Sequence, residues 1–202
     1  QSNLPVVPLI AKKWVVDSNA KTFTFYLRED VYFHDDPCFK DGKGRLVTAK
    51  DFEYVFTRLC AAETDNQGYW VFEDKVKGCK EYYQSTLDGE PLPQGVSGVQ
   101  VIDDFTLKIT LEKSFAAFPN LLALPFTAVF PREAVKKYGK DMRTKTVGTG
   151  PFYIKALKSD ETVILVRNPN YWGKDENGNS LPYLDGIRIS YIKERKSELL
   201  EL

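Results

Sequence analysis

Two pairs of alternating segments, each joined by a short polar turn, constrain this chain more than any other feature. Residues 98–102 and 106–111 flank Asp103-Asp104-Phe105, and residues 152–156 and 162–167 flank Ser159-Asp160. Side chains two apart in an extended chain share a face, so this alternation predicts strands, and the tight turns make each pair a hairpin. Residues 21–27 alternate in the same way, with Phe23, Phe25 and Leu27 on one side and Thr22, Thr24 and Tyr26 on the other. The turn cluster Asp17-Ser18-Asn19 precedes them, which makes residues 14–16 the partner strand. Residues 31–33 read as a short third element, and residues 187–192 as a further strand.

Helical segments interrupt the hairpins. Thr48 is placed to cap a helix, with Asp51 returning the bond three residues on, and Phe52, Val55, Phe56 and Leu59 then fall on one helical face. That helix is expected to end near residues 60–62. A second is expected over 74–84 and a short one over 115–124, carrying Phe115, Phe118, Leu121 and Leu122. Another should have Pro131 in its first turn and run to Tyr138, with Gly139 as its stop. Residues 193–202 have helix-forming composition without a stop signal, which reads as a helix continuing into a longer protein. Hairpins interrupted by short helices exclude a purely parallel doubly wound sheet. The fold class is therefore α+β, with mixed or antiparallel sheets.

The 202 residues are 43% hydrophobic and 13% aromatic, enough for a true core. Lys plus Arg equals Asp plus Glu at 28 each, so there is no basic field to attract nucleic acid. The longest apolar stretch, 115–130, is broken by Pro119, Asn120 and Pro125, which argues against a membrane span. Cys38, Cys60 and Cys79 show no Cys-x-x-Cys pair. Scattered thiols read first as buried free cysteines, with a Cys60–Cys79 disulfide as the alternative in an oxidising compartment.

Several residues invite chemistry and also have a plainer account. His34 is the single histidine and precedes Asp35 and Asp36. Metal binding or acid–base work needs partners that the sequence does not supply at ligand spacing, so a loop hydrogen-bonding cluster is expected, with no metal and no cofactor. A serine hydrolase would need His34 as its base, and no Gly-x-Ser-x-Gly elbow is present. Asp103-Asp104 sits at a turn, where aspartate serves the backbone. Gly148-Thr149-Gly150-Pro151 lacks the Lys-Ser/Thr of a phosphate loop and suits a tight lead-in to a strand. Tyr69, Trp70 and Phe72 follow a polar, glycine-containing loop. They fit either a ligand-contact surface or a satellite core beneath that loop. Tyr82 and Tyr83 are adjacent on an expected helix, so at most one should face inward.

Phrases along almost the whole chain resemble the peptide and nickel class of ABC-importer solute-binding proteins, often called family 5. They begin with Leu9-Ile-Ala-Lys-Lys-Trp14, Lys21-Thr-Phe-Thr-Phe-Tyr-Leu-Arg28, Val31-Tyr-Phe-His-Asp35 and Val47-Thr-Ala-Lys-Asp-Phe-Glu-Tyr-Val-Phe56. They continue with Val99-Gln-Val-Ile-Asp-Asp-Phe-Thr-Leu-Lys108, Phe130-Pro-Arg-Glu-Ala-Val135 and Val147-Gly-Thr-Gly-Pro-Phe152. Val166-Arg-Asn-Pro-Asn-Tyr-Trp172 and Pro182-Tyr-Leu-Asp-Gly-Ile187 complete the series. The chain departs from the family in two longer loops, 35–45 and 173–180.

The resemblance implies a fragment of a periplasmic-binding-protein-like fold of the class II, cluster C type. Residues 1–146 would be the family's small extra domain and 147–202 the start of the adjoining ligand-binding lobe. It also implies a non-enzymatic function. A peptide or another small polar solute would be held between lobes and delivered to the membrane subunits of an ABC permease. Tyr69 and Trp70 would be ligand contacts. The protein would be monomeric, with no nucleic-acid partner, and periplasmic or otherwise extracytoplasmic, with a lipid anchor as an option in the full-length form. The competing readings are a lobe acting as a protein-interaction scaffold and a small hydrolase working through the Asp35-Asp36 region.

Overall fold

A computed structural model describes residues 5–63 and 66–191. These form two compact units, one from the described residues of Gln1–Glu29 with Val47–Phe130, the other from those of Asp30–Leu46 with Pro131–Leu202. The fold is α+β, as the hairpins and short helices predict.

The first unit is built on a four-stranded antiparallel sheet. Its strands are β1 (Ala11–Val16), β2 (Thr22–Leu27), β3 (Val99–Asp103) and β4 (Thr106–Thr110), in the order β1-β2-β4-β3. Phe23 lies opposite Ile109 and Phe25 opposite Leu107, so the apolar members of both central strands share one face. All four are buried. The helix α1 (Ala49–Leu59) is held at its start by the reciprocal Thr48 and Asp51 bonds, with the Thr48 N–H donating to Asp51 Oδ2 at 2.9 Å. Its buried Val55, Phe56 and Leu59 face β3 and β4. Three ring contacts extend this core: Phe56 with Phe72 at 5.1 Å, Phe72 with Phe118 at 5.9 Å, and Phe118 with Phe23 at 5.3 Å.

The second helix starts later than its composition predicts, as α2 (Cys79–Leu87) rather than 74–84. Tertiary pairing takes the preceding residues. Val76 bridges Leu111, and the Lys77 N–H bonds the Thr110 carbonyl at 3.0 Å. Gly78 then turns the chain with φ 79°, and a Cβ there would come within 2.3 Å of Ser97 Oγ. The segment expected to be helical over 115–124 closes only one short helix, α3 (Phe118–Leu121). Residues 31–33 form no strand; Tyr32 makes an isolated bridge to Leu46.

The reading of three free cysteines is corrected for two of them. Cys60 follows the last residue of α1, Cys79 begins α2, and the two form a disulfide with Cα atoms 5.2 Å apart. The packing of the two helix ends brings together thiols 19 residues apart in sequence, leaving Cys38 free.

The second unit contains α4 (Arg132–Tyr138) and an antiparallel sheet of β5 (Phe152–Lys158), β6 (Thr162–Arg167) and β7 (Gly186–Ser190), in that order. Pro131 caps α4 from an extended conformation instead of lying in its first turn, and Gly139 stops it at φ 51°. Arg45 clamps α4 through both Glu133 oxygens, at 2.7 and 2.9 Å, while its guanidinium covers the rings of Phe33 and Phe39. The long loops close on themselves. Asp35 accepts the Gly44 N–H at 2.9 Å and Lys43 Nζ at 2.8 Å, and Asp175 accepts the N–H groups of Asn177 and Asn179 and the Tyr183 hydroxyl. The helix expected over 193–202 lies outside the described residues.

Candidate ligand-contact site

The loop before Tyr69 is fastened to the end of α1. An α-helix leaves its last carbonyls without intrahelical partners. Asn66 supplies two strong bonds there, from Nδ2 to the Leu59 carbonyl at 2.9 Å and to that of Ala61 at 2.8 Å. Its Oδ1 accepts the Gly68 N–H at 3.1 Å, closing a two-residue turn. Gly68 is buried with no space for a side chain, since a Cβ would lie 2.5 Å from Leu59 Cδ1 and 3.1 Å from Phe126 Cβ. The loop therefore hugs α1 and delivers one 3-10 turn, Tyr69–Val71, at a fixed position.

This turn sorts its aromatic residues between the two roles open to them. Val71 and Phe72 are fully buried and belong to the core, so Phe72 is no surface group. Trp70 points outward and remains 51% exposed. Its ring meets Phe126 edge-on at 6.0 Å, and Phe126 is itself 42% exposed. Tyr69 is half-buried and stacks on Tyr83 of α2 at 4.2 Å. Burial raises the Tyr69 hydroxyl's pKa, with Glu73 adding to the shift, so the ring stays neutral at ordinary pH. Tyr82 and Tyr83 are both half-buried, so neither is a core residue. The backbone carbonyl of Trp70 accepts Lys75 Nζ at 3.1 Å. The exposed ring surface of Trp70 and Phe126 is suited to apolar and stacking contacts.

Phe126 was not legible in the sequence. It follows Pro125 in a 3-10 turn, Pro125–Thr127, and no periodicity marks it. Asn66 carried a faint signal, because Asn two residues before Gly commonly marks a side-chain-closed turn.

The other candidates are taken up by structure. His34 is buried, with Nε2 donating to the Gly150 carbonyl at 2.9 Å and Nδ1 accepting the Gly148 N–H at 3.4 Å. Asp36 accepts the Cys38 N–H and the Tyr138 hydroxyl, both at 2.7 Å, and the second bond pushes the Tyr138 pKa up to about 12. Asp103 serves its turn by accepting the Phe105 N–H. Among the described residues no three His, Cys, Asp or Glu side chains converge as metal ligands. Among them, too, no helix is long and apolar enough to cross a membrane. A polar depression of about 350 Å³ lies in the second unit, beside Asp36, Tyr138, Lys145 and Ile154.

Residues 5–202 match the family model described as bacterial extracellular solute-binding proteins, family 5 Middle. The chain belongs to that family. Among its relatives is the dipeptide-binding protein of Escherichia coli K12, 29% identical over 200 residues, covering 96% of this chain and 35% of the relative. The di/tripeptide-binding protein 1 of Pseudomonas aeruginosa is 30% identical over 179 residues, covering 85% of this chain and 30% of the relative. A solved structure of the substrate-binding domain of an oligopeptide ABC transporter from Bacillus anthracis matches at 28% identity with a TM-score of 0.75. That match covers 96% of this family 5 chain and 34% of the solved chain. The family 5 chain thus spans about a third of the length of the relatives it matches.

Proposed function

We propose that this family 5 chain is part of the solute-binding component of an ABC import system. It binds a peptide or a similar small polar solute in a cleft between lobes and hands it to the membrane permease, without chemistry of its own. Family membership across residues 5–202 carries the reading, because the relatives bear dipeptide- and di/tripeptide-binding names. The Cys60–Cys79 disulfide supports placement outside the cytoplasm, since such bonds persist in oxidising compartments.

Tyr69 and Trp70 are the proposed ligand contacts. Half-exposed Trp70 on a fastened turn offers rigid ring surface at little entropic cost. The proposal also assigns residues 1–146 to the family's small extra domain and 147–202 to the start of the adjoining lobe. The compact units cross this boundary, because residues 30–46 and 131–146 pack with the second unit. The protein works as a monomer.

Thermal-shift measurements on the full-length protein against di- to pentapeptides, metal chelates and sugars test the function. Binding to the native state raises the melting temperature by mass action. A shift with one solute class identifies the ligand; no shift with any of them removes the transport reading. Trp70→Ala should abolish most of the shift if the contact assignment holds.

A further inference from the structure

The Asn66 side chain, which fastens the loop before Tyr69 to the end of α1, makes three short bonds beside a longer one to the Arg58 carbonyl at 3.4 Å. Two of its partners, the Leu59 and Ala61 carbonyls, flank Cys60, the residue that ties α1 to α2. Its third short bond takes the Gly68 N–H, one residue before Tyr69. Tyr69 in turn leans on Tyr83, four residues after Cys79 and so on the same face of α2. The aromatic turn is thus held at two points of one cross-linked frame, by Asn66 at the end of α1 and by Tyr83 on α2.

We propose that Asn66 is the positioning residue of the Tyr69–Trp70 site, a proposal that rests on those two rings being ligand contacts. Its amide couples the orientation of Trp70 to the end of α1, so the ring is preorganised before ligand arrives. Cutting the amide leaves the α1 carbonyls to solvent and frees the turn, while the ring core of Phe56, Phe72 and Phe118 stays in place.

The test labels the full-length protein with 5-fluorotryptophan and follows the Trp70 fluorine resonance, assigned with Trp70→Phe. Asn66→Ala removes every one of these side-chain bonds, the longer one to the Arg58 carbonyl included. Asn66→Ser keeps a hydroxyl able to accept the Gly68 N–H but too short to reach the α1 carbonyls. Both variants should shift or broaden the Trp70 resonance, leave the other tryptophan resonances in place, and weaken binding of a di- to pentapeptide set by about tenfold. An unmoved Trp70 resonance with a lowered melting temperature overturns the proposal and makes Asn66 a helix cap only. A wild-type resonance in Asn66→Ser also overturns it, because the bonds to α1 would then be dispensable. If the resonance moves but neither Trp70→Ala nor Asn66→Ala changes peptide affinity, the contact assignment fails while the positioning stands.

Discussion

His34 shows how a residue that looks chemical can be wholly structural. Both ring nitrogens are spent on the glycine turn at 148–150, one as acceptor and one as donor, which requires the neutral ring. Burial draws its pKa below the ordinary 6.5, and the bond to Gly150 offsets part of that. The unfolded chain therefore takes up the proton first as pH falls. The contribution of His34 to stability is complete above about pH 6.5 and is lost as pH drops from there towards the folded-state value. Melting curves at pH 7.5 and 5 should show a drop that is smaller in His34→Gln, whose pH response lacks this group. Phe72 and Trp70, in the first unit, separate just as cleanly. Phe72→Ala should cost about 3–5 kcal/mol in denaturant unfolding, as large-to-small core changes do. Trp70→Ala, at a half-exposed ring, should cost about 1 kcal/mol or less, and its effect should fall on binding if the proposed ligand contact holds.

At the scale of elements, α1 is the piece on which the site depends. Its start was legible, because Thr48 and Asp51 stand three apart ahead of an apolar face, and a capping box needs only local sequence. Thr48→Ala should lower stability by about 1 kcal/mol. Its far end was only half legible. The helix stops where the periodicity stops, but the disulfide that fastens it depends on where α2 begins, and local composition placed α2 too early. Bonds from β4 and the left-handed Gly78 delay that helix until Cys79, which puts Cys79 beside Cys60. Replacing both cysteines by serine frees a loop whose ends lie 19 positions apart in sequence. It should cost about 3 kcal/mol, read as a lower denaturant midpoint that reducing agent reproduces in the wild type but not in the variant. The hairpins β3–β4 and β5–β6 were read closely, since alternation and turn chemistry act within about ten residues.

For the whole molecule, a cleft site needs two walls, and ligand burial on both sides supplies most of the affinity of such sites. If the proposed peptide binding holds for the full-length protein, the 202-residue chain by itself should show none by calorimetry under the same conditions. Tight binding by the chain alone would place the whole site within these residues. Hairpins, the start of α1 and the α+β class were determined by sequence alone, because each rests on periodicity, caps or turns among near neighbours. The family resemblance was equally legible, as ordered phrases along the chain. Tertiary structure decided which of Tyr69, Trp70 and Phe72 faces solvent, where α2 starts, which cysteines pair, and that Asn66 and Phe126 join the aromatic site. Those outcomes depend on contacts between segments distant in sequence, where burial and hydrogen-bond partners are set by packing rather than by local preference.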